Sequence, residues 1–184
     1  MKEILLLILG GVLVNNYALE KFLGTAPLLG YSRKGNKLVA LGLSVTVVML
    51  LVAALAYPLQ LALANSGFAY LRLLVLVTLV LLVVYAVELL AKAALHQCLG
   101  VYFPLIALNS AVLGLALENG AKGYGFGQSL AAALGVGLGF LAALLLMNGV
   151  QSRIEEKYVP AAFRGLPISL LAASIVAMVL VAFK

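Results

Sequence analysis

Few side chains in this sequence could do chemistry, and they stand in unusual places. Asn15 and Asn16, then Glu20 and Lys21, fall within one long apolar run; Glu88 falls in another, and Asn109 and Ser110 in a third. An amide in hydrocarbon is costly unless it is hydrogen-bonded. Asn15, Asn16 and Asn109 therefore mark either polar helix–helix contacts or interruptions of a helix near the membrane centre. Ionisable groups at membrane depth are candidates for moving ions or protons, which singles out Glu20, Lys21 and Glu88. The plainer alternatives are that the first apolar run ends near residue 19 and delivers Glu20 and Lys21 to the interface, and that Glu88 pairs with Lys92 at i,i+4 and snorkels to the surface.

The remaining reactive residues form no recognisable centre. There is one histidine, His96, and one cysteine, Cys98. A single thiol makes no internal disulfide, no four-thiolate zinc site and no iron–sulfur cluster by itself. No Ser-His-Asp set, P-loop or catalytic carboxylate pair is present, and Glu155-Glu156 belongs to a charged loop. No metal ligand set and no catalytic residue are expected. Gly135-Val136-Gly137-Leu138-Gly139 has no βαβ context and so is not a nucleotide fingerprint. With Ala131, Ala132 and Ala133 before it, it reads as a surface for close helix packing, Gly135 and Gly139 having the small-xxx-small spacing.

The elements that must hold these residues are membrane helices. Of 184 residues, 65% are hydrophobic and 10% charged, and the mean hydropathy is +1.20. Soluble domains carry about 25% charge, so lipid is the solvent this composition fits. The formal net charge of +6 then belongs to cytoplasmic loops, not to a nucleic-acid interface, since no aromatic-interleaved basic patch exists.

About six apolar stretches are long enough to span: 4–24, 38–58, 70–92, 99–117, 128–150 and 166–183. The expected fold is all-α, a polytopic single membrane domain over 1–184 with short connections. Arg33, Lys34, Lys37, Arg153, Lys157 and Arg164 share one side, whereas the other has Lys2, Arg72, Lys122 and Lys184. The positive-inside rule puts both termini on the non-cytoplasmic side.

A weak repeat links Asn15-Asn16-Tyr17-Ala18-Leu19 to Asn109-Ser110-Ala111-Val112-Leu113, three spans apart. Two inverted three-helix repeats, approximately 1–95 and 96–184, would follow, with spans one and four interrupted. Pro104 lies five residues before Asn109 and favours a break or kink there, and Gly24, Pro27 and Gly30 surround the end of span one. A re-entrant segment and a plain loop are equally compatible with the latter three.

Three blocks carry a family resemblance. The first is Leu13 to Gly24 followed by Pro27-Leu28-Leu29-Gly30-Tyr31-Ser32-Arg33-Lys34. The second is Leu99 to Ile106 with Asn109 and Ala111-Val112-Leu113-Gly114, and the third is Val159 to Ile168. In the same order, they resemble the A-type membrane subunits of Rnf-type ion-translocating electron-transport complexes. The related Na⁺-pumping NADH:quinone reductase has a similar E-type component. The resemblance implies a six-span inner-membrane subunit facing a homologous inverted subunit (of the Rnf E or Nqr D kind). It also implies further flavin (FMN) and iron–sulfur subunits, a [2Fe–2S] cluster shared at the interface through cysteines of the two interrupted spans, and electron transfer coupled to Na⁺ or H⁺ movement.

The decisive positions depart from that pattern. The residue before Pro27 is Ala26, and the residue after Asn109 is Ser110, where the family has cysteines. Alanine cannot bind iron, and serine is a poor substitute for a thiolate. The expectation is a membrane subunit that lines a mid-membrane junction with Asn15, Asn16, Ala26, Asn109 and Ser110, binds no cofactor itself, and is no enzyme alone. A redox-inactive structural paralogue and a stand-alone small transporter or channel are the alternatives.

Overall fold

The computed structural model describes residues 2–14, 16–26, 35–91 and 109–181. The elements are α1 (Lys2–Leu9), a π-helical turn (Gly10–Val14), α2 (Gly35–Asn65), a 3₁₀ turn (Ala69–Leu71), α3 (Arg72–Ala91), α4 (Ser110–Ala121), α5 (Phe126–Arg153) and α6 (Leu166–Val181). Two further 3₁₀ turns, Glu156–Tyr158 and Ala161–Phe163, lie between α5 and α6. Among the described residues there is no strand.

Three helical stretches are long and apolar enough to cross a membrane: Leu38–Asn65, Ala69–Leu89 and Phe126–Arg153. They present bare hydrocarbon outward, as at Leu43, Val47, Leu74, Leu82 and Leu146. That is the pattern of a lipid-facing surface, because tails are as apolar as these side chains.

The second span runs further than its sequence suggests. The sequence predicts an end at Tyr57-Pro58, yet α2 continues through Pro58 to Asn65. Proline removes one donor from the ladder, and membrane helices tolerate this where neighbours supply partners. Gln60, two residues beyond, is held by donating to the Ala116 carbonyl at 2.8 Å. Conversely, the first span stops earlier than 24: α-helix ends at Leu9, the π-turn ends at Val14, and Asn16 to Gly24 are non-helical.

α2 and α5 form the central pair and run antiparallel, since Gly42 abuts Leu141 while Gly137 abuts Thr46. Leu41, Val45, Met49, Phe140, Leu144 and Met147 fill the space between the helices with almost no exposure. α1 lies parallel to α5 at backbone contact. A Cβ on Gly135 would stand 2.8 Å from the Ile8 carbonyl, and one on Gly139 would stand 2.6 Å from the Gly11 carbonyl. The glycine stripe thus packs within the chain, its two outer members seating α1 and the π-turn and its middle member seating α2.

Adding a branched side chain at Gly135 must push α1 off α5, and one at Gly139 must push off the π-turn. Overpacking of this kind costs about 1–3 kcal/mol, so Gly139→Val is expected to lower the thermal aggregation midpoint of the solubilised protein. Gly149→Ala, with nothing within 4 Å of its would-be Cβ, should leave the midpoint unchanged.

Candidate functional site

The break that follows the first helix meets the start of α4. The side chain of Asn16 donates from Nδ2 to the Gly139 carbonyl at 2.8 Å, and its Oδ1 accepts from the backbone N–H groups of Ala18 at 3.1 Å and Leu19 at 3.3 Å. Gly139 lies midway along α5, so the break in the first span sits at half the height of the central pair. Asn109 does the same capping work in the second half of the chain: it is the N-cap of α4, and its Oδ1 accepts from Ala111 N–H at 3.0 Å. Both amides are buried. The shared role matches Asn16-Tyr17-Ala18 to Asn109-Ser110-Ala111, one position off the sequence repeat that begins at Asn15. Asn15 itself lies outside the described residues.

Gly24 closes the junction. Its φ of +71° is in the left-handed region that favours glycine, and its N–H donates to Ser110 Oγ at 2.8 Å. A Cβ there would collide with Asn109 Oδ1 and come within 3.0 Å of the Phe140 ring. Phe22, at φ +52°, shares the tight turn. α4 starts at this point. Its 12 residues span about 18 Å at 1.5 Å each, some half of a ~30 Å hydrocarbon layer.

The ionisable residues are distributed differently from the sequence expectation. Glu20 and Lys21 are not on a helix; they belong to the turn segment after the break. Lys21 forms an ion pair with Glu118 Oε2, which also accepts from Tyr17 Oη at 2.5 Å. The Lys21 ammonium stands 4.3 Å from the centre of the Tyr17 ring. Glu118 Oε1 pairs with Lys122 at 2.7 Å, and this hydrogen bond raises the Lys122 ammonium above its ordinary pKa. Sequence reasoning misses Glu118. Its i,i+4 spacing to Lys122 is the available signal, but reading 118–127 as a loop hides it.

Glu20 is half-buried in the turn segment, and Glu88 is half-buried on α3, remote in sequence from that segment and from the start of α4. Its expected partner Lys92, like His96, Cys98 and Pro104, lies outside the described residues.

The residues present do not fit the [2Fe–2S] group that the family resemblance implies. Ala26 ends in an exposed methyl. The Ser110 hydroxyl oxygen is already engaged by Gly24 N–H. Among the described residues no three His, Cys, Asp or Glu side chains come together as a metal site.

Replacing Asn16 with leucine leaves the Ala18 and Leu19 N–H groups without their side-chain acceptor, at a cost of ~1–3 kcal/mol for buried donors. The expected readout is a lower aggregation midpoint for Asn16→Leu. Gly24→Ala, which brings both strain and a clash, should fall at least as far.

Comparison with known proteins places this arrangement. Residues 4–184 match the family described as Rnf-Nqr subunit, membrane protein. A protein of Syntrophotalea carbinolica, named as the A subunit of an ion-translocating oxidoreductase complex, is 41% identical, covering 100% of this chain and 97% of that protein. The corresponding protein of Azoarcus sp. is 38% identical with the same coverage. One of Acetobacterium woodii, named as the A subunit of a Na⁺-translocating ferredoxin:NAD⁺ oxidoreductase complex, is 36% identical over 98% of this chain and 96% of its own length. With apolar spanning helices and a family match over nearly its whole length, the chain belongs to the Rnf-Nqr family of membrane subunits.

Proposed function

We propose that this chain is the A-type membrane subunit of an ion-translocating oxidoreductase complex in the prokaryotic cytoplasmic membrane. It crosses the bilayer six times as two inverted three-helix repeats, with both termini on the non-cytoplasmic side. It packs against a homologous subunit of opposite orientation, and its interrupted spans form the mid-membrane junction where electron transfer is coupled to ion movement. The relatives named as A subunits of such complexes support the assembly. The observation that carries the junction is the hydrogen bond from Gly24 N–H to Ser110 Oγ, which ties the two breaks together at mid-height of α5.

In this reading the chain ligates no iron. The flavin and iron–sulfur centres belong to other subunits, and this chain contributes scaffold and ion route. Its own residues support that assignment, because a methyl at Ala26 and an engaged hydroxyl at Ser110 offer no thiolate at either position.

An affinity tag on this chain tests the subunit role. Partner subunits, flavin and iron should co-purify, and deletion of the chain should abolish ion uptake linked to electron transfer in membrane vesicles. A monodisperse chain without partners, flavin or iron, active in transport after reconstitution, would establish the stand-alone transporter instead. Electron paramagnetic resonance tests the ligand assignment. Any [2Fe–2S] signal of the complex should be indifferent to Ser110→Ala, and a signal lost in that variant overturns the thiol-free junction.

A further inference from the structure

A cavity of about 290 Å³ opens between α2 and the hairpin formed by α4 and α5. Its wall on α2 is Ala53, Ala56, Tyr57, Gln60, Leu61 and Ala64, a spacing of three and four that makes one helix face. Gly120, Gly123 and Gly125 stand across from it. Small residues on both sides leave the space open, and no lining side chain is charged. Leu61, Ala64 and Gly123 are exposed and mark the mouth, whereas Ala53, Ala56, Asn119 and Ser129 are buried and mark the floor.

Ser129 departs from the habit of the other hydroxyls. Ser44, Thr46, Thr78, Ser152, Ser169 and Ser174 each donate back to a carbonyl three or four residues earlier, which satisfies a hydroxyl inside an apolar layer. The Ser129 hydroxyl makes no hydrogen bond among the described residues, although the residue is 3% exposed. An unbonded buried donor is costly. Its Oγ is not sealed in protein, so its open side is the cavity. The Tyr57 hydroxyl likewise has no partner among the described residues; its ring meets Phe126 edge-on at 5.7 Å. The amide donors of Gln60 and Asn119 are already engaged by the Ala116 and Ser129 carbonyls. The cavity therefore offers hydroxyl donors and no charge, which suits a neutral occupant with acceptor oxygens.

Depth narrows the choice. Ser129 precedes Gly139, the middle of the spanning stretch Phe126–Arg153, by ten residues, or about 15 Å along the axis. Half of a ~30 Å hydrocarbon layer is the same distance, so Ser129 stands at the boundary between acyl chains and headgroups. The ester carbonyls of a bilayer lipid lie at that boundary. They are neutral acceptors, their chains run inward, and their charged phosphate stays outside.

We propose that the cavity holds the glycerol-ester region of one bilayer phospholipid. An ester carbonyl accepts from the Ser129 hydroxyl, the upper acyl chain lies along Ala53 and Ala56, and the phosphate remains at the mouth beside Gly123. The inference needs only the spanning character of the chain and stands apart from the subunit role proposed above. The lipid is then a wedge that fills the space between α2 and the hairpin, bound in place and distinct from the fluid lipid around the bundle.

The test uses the protein purified with whatever it assembles with and reconstituted into phosphatidylethanolamine vesicles. A trace of diester phosphatidylethanolamine with a diazirine high on one acyl chain is photoactivated, and the label is mapped by peptide mass spectrometry. Label is expected on residues 53–64 and 119–129. Unlabelled diester lipid should compete with it about fivefold better than the matching diether lipid, which lacks the carbonyl oxygens; this is the equivalent of ~1 kcal/mol for one neutral hydrogen bond. At Leu82, on the outward face of α3, the two lipids should compete equally. Ser129→Ala should erase the fivefold preference, and Ala56→Leu, which fills the floor, should remove the groove label. Absence of groove label, as from a cavity holding water or a neighbouring protein, overturns the proposal. Equal competition by both lipids in the groove overturns it too, as does a preference that survives Ser129→Ala. Should the variants fail to assemble, the diester and diether comparison on the unaltered protein decides alone.

Discussion

A chain that leaves the helical conformation inside hydrocarbon must satisfy its freed N–H and C=O groups without water. In this protein two asparagine side chains meet that requirement. Asn16 gathers the Ala18 and Leu19 amides on one oxygen and fastens itself to the Gly139 carbonyl; Asn109 caps α4 through Ala111. The position of every other group at the junction follows. Because the first break is anchored at mid-height of α5, Gly24 can reach Ser110, and Lys21 and Tyr17 can turn back to Glu118. An aspartate at either site could cap as well but would bring an unneeded charge into a low-dielectric interior, whereas an amide caps without one and at Asn16 also donates.

The anchoring requires the π-turn and α5 to approach at backbone distance. Gly11 against Gly135, and Gly139 against the Gly11 carbonyl, provide that approach. Small residues take the place of the hydrophobic effect, which gives no net drive between helices already solvated by lipid tails. Packing contacts and a few interhelical hydrogen bonds therefore carry the assembly, and the glycine stripe and the Asn16–Gly139 bond are two parts of one interface. The end of α4 away from the junction obeys the same rule: Gln60 and Arg72 donate to the Ala116 and Leu117 carbonyls near its C-terminus, where a cation also complements the helix dipole.

The charged residues are sparse, 10% of the chain. The Glu118 group differs because it ties together two segments that are 97 residues apart in the chain. It brings two ammonium groups and a phenol onto one carboxylate, an arrangement that consumes both carboxylate oxygens. The junction a few turns below it is by contrast uncharged, closed by amides, a hydroxyl and a glycine. Charge and junction are thus separated: charge resides toward the end of α4, and at the break Ala26 and Ser110 present a methyl and a hydroxyl.

The sequence by itself determined the solvent and the element type. Its apolar runs could only be membrane helices, and polar amides inside them could only mark contacts or breaks. The resemblance in three ordered blocks settled the family. The break at Asn16 was legible because an amide in hydrocarbon demands a local reason. Tertiary structure alone decided the rest. Pro58 does not end α2, which continues to Asn65 with Gln60 tied to the Ala116 carbonyl of α4, and no local rule foretells that contact. Lys21 takes Glu118 as its partner, a pairing that exists only once the break folds the chain back. Asn16 performs the capping, because the register of a cap is set by which amide reaches the Gly139 carbonyl across the helix interface. Local composition fixes where a helix must stop, but the groups that satisfy its open end come from segments distant in sequence, so only packing could choose them.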